Sequence, residues 1–420
     1  MTNHPPSRSG SLPPRSGSLP SRSGRVYWLD YLRGFITVLV VAHHSTLAYT
    51  TFAHFNPQAY NASTHPIVDT SRAVGLDLFE DFNDVFFMSL MFLISGIFVL
   101  PSLGRKGPLV FLRDRFRRLF IPLMITVTFI MPLGYLASWN LAHHNWDLHA
   151  FLVDYITVEH WPAGPPWFIG ILFIFNGIIS GLYLRWRATL DRWANFLANH
   201  STRPLGFFLR AYGLTLVLFV PLVLIFGGSA WIGFGPFAFQ LSRILLYFGY
   251  FVVGMLLGAA GTEKGLLAGD SALMRNTTRW VLRCVLAYFV LKIAGFYIQG
   301  LEDHNRLNET QARLLYRSVW SLSCTLSCIA FLSLFHRIFR KTASPSPAPN
   351  TPPRGWESLA ANAYGIYLIH YVFVLWIQYL LLPASLPAVP KFTLTFIGAL
   401  ALSWTITALI RKIPLAGKYL

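Results

Sequence analysis

Charge is scarce in this chain of 420 residues: Asp, Glu, Lys and Arg make up 12%, against 54% hydrophobic residues. A soluble domain carries about 25% charged residues, so the deficit excludes a water-soluble globule and points to a polytopic membrane protein. Acidic residues are rarer still, 17 against 34 Lys and Arg, for a net charge of +17. That excess does not indicate nucleic acid, because the basic residues are dispersed between apolar runs instead of gathering on one surface. Cysteine is nearly absent. Cys284, Cys324 and Cys328 all fall inside apolar runs without disulfide or zinc spacing, which makes them packing residues. No G-x-S-x-G elbow, Walker loop or His-Glu-x-x-His occurs, so serine hydrolase, nucleotidase and zinc protease chemistry lack support and no metal site is expected. The opening residues also lack the uninterrupted apolar core of a signal peptide. Residues 1–24 repeat Arg-Ser-Gly-Ser-Leu-Pro instead, a composition that cannot bury a core and reads as a disordered cytoplasmic tail before a membrane domain at 25–420.

What is present is apolar length. Runs of about 20 apolar residues stand at 28–51, 79–100, 119–139, 166–184, 207–227, 238–260, 279–300, 315–337, 361–382 and 392–411. The expected fold is therefore all-α, a membrane bundle of about ten transmembrane helices. Placing the N-terminus in the cytoplasm puts most Lys and Arg inside, leaving only Arg72, Arg306, Arg313, Arg317 and Lys391 in outer segments. This positive-inside bias puts both termini in the cytoplasm. A Pro-rich stretch at 342–355 reads as a cytoplasmic linker.

The first apolar run carries Arg33 near its start and His43 and His44 near its end. Eleven residues separate Arg33 from His44, about three helical turns, so the two share one face about 16 Å apart along the axis. A bilayer tolerates such groups only where they face a bundle interior or a watered cavity. Asp30, three residues before Arg33, is placed to pair with it. Ahead of the third run, Arg105, Lys106, Arg113, Arg115, Arg117 and Arg118 form a basic cluster. It reads either as a topology anchor on anionic lipid or as a cradle for a phosphorylated cytosolic donor.

Several segments together resemble a known family. Leu29-Asp30-Tyr31-Leu32-Arg33-Gly34 followed by His44 is similar to the Arg-x10-His signature of the acyltransferase-3 family of integral-membrane O-acyltransferases. The segment from Arg113 to Pro122 resembles its basic stretch before a Pro-containing span. Asp84 to Met88 with Met91 to Gly96 resembles its second span, Pro166 to Leu172 its fourth, and Ala363 to His370 its late Tyr-Gly-Ile-Tyr span. These matches run in order from about Tyr27 to the C-terminus. The Met/Phe pattern of the second span looks closest to the branch that succinylates periplasmic glucans. Some relatives carry a histidine just before the Trp-Phe of the fourth span, where this chain has Pro165 and Pro166, so His160 upstream is not carried over.

The resemblance implies ten core spans in a bacterial cytoplasmic membrane and transfer of an acyl group from cytosolic acyl-CoA to hydroxyls of sugars outside. It implies acyl-CoA as a co-substrate with no permanently bound cofactor, a glycan or other hydroxyl acceptor as partner, and the bilayer around both. In those terms Arg33, Arg115 and Arg118 meet the donor's phosphates, and His44 takes the acceptor's proton. Asp84, near the outer end of the second run, either orients His44 or is an exposed helix-start acid beside Glu80 and Asp81. Arg243 and Lys292 either bind an anionic acyl group or developing oxyanion, or snorkel to the surface. His370, mid-run, is either buried structure or part of the catalytic cavity. Trp146 and Trp161, in an outer loop at 140–164, either stack on sugar or form an interface belt. The competing function is a secondary transporter or flippase for a polar lipid or sugar. An inert scaffold fits poorly, since each intramembrane charge costs about 2.5–3.5 kcal/mol to insert. Oligomeric state is not legible.

Overall fold

The structure, a computed structural model, describes residues 26–199, 204–261, 265–339 and 354–414. The repeat tail at 1–24 lies outside them, as does the Pro-rich linker except for Arg354 and Gly355, which open a helix. The described chain is helical apart from a short antiparallel ribbon, β1 (Trp231–Ile232) paired with β2 (Phe239–Gln240).

Among the described residues, nine helices are long and apolar enough to cross a membrane. They are α2 (Val74–Lys106), α3 (Pro108–His143), α5 (Trp167–Leu190), α6 (Pro204–Phe226), α7 (Leu241–Ala259), α8 (Thr277–Asp303), α9 (Glu309–Phe339), α10 (Arg354–Leu381) and α11 (Ala388–Ile410). Before them runs α1 (Tyr27–Leu47), whose 21 residues span about 31 Å. Its length suffices, but Asp30, Arg33, His43 and His44 dilute its apolar character. The chain is thus an all-helical, multi-pass integral membrane protein. Below, the face at the start of α1 is the inner face and the opposite one the outer face.

Packing separates a buried centre from a wrapping periphery. The apolar window of α2 is 78% buried and that of α9 72%, against 17% for α8. Glycines let α2 and α7 approach backbone to backbone: a Cβ at Gly254 would stand 1.9 Å from the Leu93 carbonyl oxygen, and one at Gly258 1.7 Å from that of Ile97. Small residues are how membrane helices gain contact where lipid supplies no hydrophobic drive.

Proline shapes α3. It widens to π-helix at Phe116–Phe120 and Thr126–Ile130, just ahead of Pro122 and Pro132. Pro122 has no N–H for the Arg118 carbonyl, and the Tyr364 hydroxyl donates to that oxygen instead, at 2.9 Å. The basic end of α3 is thereby fastened to α10.

On the outer face, the segment read as a loop at 140–164 contains a helix, α4 (Leu148–Thr157), capped by the Asp147 carboxylate, which accepts from His149 N and Ala150 N. Lys391, expected as a charge in an outer connection, is instead buried in the first turn of α11. It pairs with Asp69 at 2.7 Å and fastens the loop at 48–73 to the bundle.

Candidate active site

Among the described residues, two large cavities enter the bundle, one toward each face. The outer one measures about 950 Å³ and is lined by His43 and His44 of α1, Glu80 and Asp84 of α2, Arg243 and Tyr247 of α7, and Tyr367 and Tyr371 of α10. His65 and Glu159 of the outer loops and Trp231 of β1 close its rim.

His44 is presented at the end of α1 by contacts that hold the backbone more than the ring. Gln378 donates from Nε2 to the carbonyls of His44 and Ser45, both at 3.2 Å. That fixes the Gln378 amide, so its Oε1 accepts from His65 Nε2 at 2.7 Å. Burial pulls His65 down to about 4, which keeps it a neutral donor. The His44 ring lies 5.2 Å from Tyr371 and 5.5 Å from His370, centroid to centroid. His44 Nδ1 is buried without a hydrogen-bond partner while the residue as a whole is only half-buried, so the imidazole has capacity left for a ligand. His370 is fully buried. Its Nδ1 donates to the carbonyls of Ile366 and Tyr367, at 3.2 and 2.8 Å, and its Nε2 has no partner.

Asp84 does not orient His44. Its carboxylate is taken by Arg243, NH1 to Oδ1 at 2.7 Å and NH2 to Oδ2 at 2.5 Å, with the guanidinium 5.3 Å over the Trp320 ring. The acid beside an imidazole in this cavity is Glu80, whose Oε1 stands 3.9 Å from His43 Nε2. His43, which shares no face with Arg33, still lines the cavity beside His44. Lys292 lines neither cavity; it pairs with Asp81 on the half-exposed side of α2. Trp167 and Trp231 line the outer cavity, whereas Trp146 stacks on Trp376 and Trp161 packs against Gly235.

The rim is under strain. His160 and Trp161 both adopt positive φ, 59° and 56°, a region non-glycine residues avoid. Beside them Glu159 accepts from the backbone N–H of Tyr60 at 2.8 Å and of Asn61 at 2.7 Å, docking the 48–73 loop across the cavity mouth. Burial pushes the Glu159 carboxyl up to about 7 despite those donors.

The inner cavity measures about 420 Å³ and is lined by Arg33, Arg115, Arg118 and Arg411, with Asn176 and Tyr364 among them. None of its lining side chains is a carboxylate. Arg113 and Arg117 of the basic cluster do not line it. Tyr367 lines both cavities and donates its hydroxyl to the Pro165 carbonyl, so one side chain stands between the two spaces. The structure thus brings Arg33, Arg115 and Arg118 together, and His44 with His370, while it separates Lys292 from both groups. Sequence reasoning passed over Arg411, His65, Gln378 and Glu159. Gln378 alone carried a signal, a polar side chain deep in an apolar run. Among the described residues no cluster of His, Cys, Asp and Glu has metal-binding geometry.

No solved structure matches this chain. Curated relatives include glucans biosynthesis protein C of Salmonella schwarzengrund and of Salmonella typhi, each 24% identical over 239 residues, 55% of this chain and 58% of the relative. The chain therefore aligns with little more than half the length of these relatives. The acyltransferase domain family matches residues 26–408, nearly the whole membrane bundle. A chain matched from the start of α1 almost to the end of α11 belongs to the acyltransferase-3 family.

Proposed function

We propose that this protein moves an acyl group, acetyl or succinyl, from acyl-CoA in the inner cavity to a hydroxyl of a glycan or related polar acceptor in the outer cavity. The inner face is then the cytosol, the membrane a bacterial cytoplasmic membrane, and the acceptor a glucan-like sugar as the names of the relatives suggest. The observation that carries this reading is the pair of cavities divided by Tyr367, one lined by guanidinium groups and the other by imidazoles. Guanidinium forks suit the donor's phosphates. The rise of α1 from Arg33 to His44, about 16 Å, suits an extended pantetheine arm.

The acceptor hydroxyl oxygen attacks the thioester carbonyl while His44 takes its proton. The C–S bond then breaks, and the thiolate leaves with that proton as free CoA. His370, with its proton held on Nδ1 by two carbonyls, stands behind as a second imidazole. The experiment is CoA release by the purified protein in liposomes supplied with acyl-CoA and oligosaccharide. His44→Ala is expected to lower turnover at least ~100-fold, the usual scale of a general base, in protein that still inserts. An unimpaired variant would eliminate His44 as the base. Proton-coupled sugar uptake without any dependence on CoA would replace the reading with a transporter.

A further inference from the structure

On α5, Asn176 is 2% exposed and lines the inner cavity. Its Nδ2 donates to the Leu172 carbonyl at 2.6 Å. A carbonyl cannot satisfy another oxygen acceptor, so that bond fixes the amide and leaves Oδ1 facing away from the helix backbone. Oδ1 is buried and has no hydrogen-bond partner. A buried amide oxygen in that condition calls for an N–H or O–H from whatever fills the space beside it.

Two hydroxyls of the cavity are committed elsewhere, and neither its guanidinium groups nor the Ser95 hydroxyl reaches Asn176 Oδ1. The Thr37 hydroxyl donates to the Arg33 carbonyl at 3.1 Å, and the Tyr364 hydroxyl to that of Arg118. The cavity therefore asks two different things of one ligand: acceptor oxygens bearing negative charge for the arginines, and a neutral donor for Asn176. An ionised phosphate meets only the first demand, because it has acceptors alone. Leu172, Ile169 and Phe168 continue the same wall of α5 toward Tyr367 and give it an apolar lining. A chain of methylenes interrupted by amides matches such a wall.

We infer that Asn176 is a specificity determinant for the pantetheine arm of the donor, its Oδ1 accepting an amide N–H of that arm. This rests on the reading that the inner cavity holds acyl-CoA. The test is equilibrium binding of three ligands to the full-length protein in nanodiscs: CoA, phosphopantetheine, and adenosine 3′,5′-bisphosphate, which has phosphates and adenine but no arm. Asn176→Leu, near in volume, is expected to weaken CoA and phosphopantetheine about 5- to 10-fold, the scale of one neutral hydrogen bond, and to leave adenosine 3′,5′-bisphosphate unchanged. Should the leucine variant not fold, Asn176→Ala reads the same difference. Equal weakening of all three ligands, or none for CoA, overturns the role of Asn176 while leaving the donor cavity intact. Failure of the unaltered protein to bind any of the three removes the donor cavity itself.

Discussion

The two cavities differ in chemistry more than in size. The outer one neutralises its own charges: Arg243 is held by Asp84, and Glu80 stands beside His43. The inner one gathers four guanidinium groups and, among the described residues, no lining carboxylate, with Arg33 reaching Asp30 at 3.5 Å. A self-neutralised cavity suits an uncharged polar ligand held by hydrogen bonds and aromatic faces. A cavity rich in guanidinium groups suits a polyanion, whose affinity weakens with salt. One bundle thus presents opposite electrostatic problems to its two faces, and variants on either side should fail in different ways.

The sharpest break is expected at the outer ion pair. Asp84→Ala leaves Arg243, buried in the wall of the outer cavity, without its carboxylate, at a cost of about 3 kcal/mol, the lower end for breaking a buried pair because Asp84 is partly open to the cavity. Thermal unfolding in detergent should show that loss. Replacing both partners, Asp84→Leu with Arg243→Met, should restore stability without restoring turnover, since packing returns but the cavity lining does not. The KM for the donor should stay unchanged in whatever activity remains. A raised donor KM in Asp84→Ala would mean that the two cavities are not independent.

A smaller effect, opposite in kind, is expected inside. Arg115→Ala removes a half-buried guanidinium that also lies 4.8 Å over the Phe111 ring. Donor KM should rise about 10-fold, as for one charge-assisted contact of roughly 1.5 kcal/mol, with kcat and acceptor KM little changed. The salt dependence of the donor KM should flatten at the same time. Loss of kcat with an unmoved donor KM would place Arg115 outside the donor site.

Those contrasts explain which parts of the site the sequence discloses. A cation or imidazole inside an apolar run is costly, so Arg33, His44 and His370 stand out at once, and the helical rise places Arg33 and His44 at opposite ends of one rod. Partners are another matter. Whether Asp84 meets His44 or Arg243 depends on how α2 and α7 register, and glycine contacts such as Gly254 against Leu93 decide that across a long stretch of chain. Arg411 looks like any anchoring charge after a last span until α11 is seen to end beside α10, where Arg411 donates to the Ala361 carbonyl. His65 lies in a polar loop with no periodicity to show that it enters the bundle. The nine long helices were legible as apolar length, whereas α4 depended on a cap at Asp147 inside a stretch that otherwise reads as loop.

The finest distinction between the faces concerns protons, and it rests on Glu159. In the folded protein burial lifts this carboxyl from 4.5 to about 7. The native state therefore holds the proton more tightly than the unfolded chain does, and stability falls as pH rises from 4.5 toward 7, then levels off. Glu159→Gln removes the ionisation and keeps an acceptor for one of the two N–H groups of Tyr60 and Asn61, so the slope of the unfolding temperature across that window should flatten. The change should be small, because the loop it docks is a minor part of the folded surface. It should also be confined to the outer face, with donor binding at the inner cavity keeping its own pH dependence. An unaltered slope in Glu159→Gln would assign the proton linkage to another group at the rim, with His65 next in line because burial holds it at about 4. The two differ in sign of charge: a buried neutral histidine loses stability as pH falls, whereas Glu159 loses it as pH rises, so the direction of the measured slope identifies which group controls the cavity mouth.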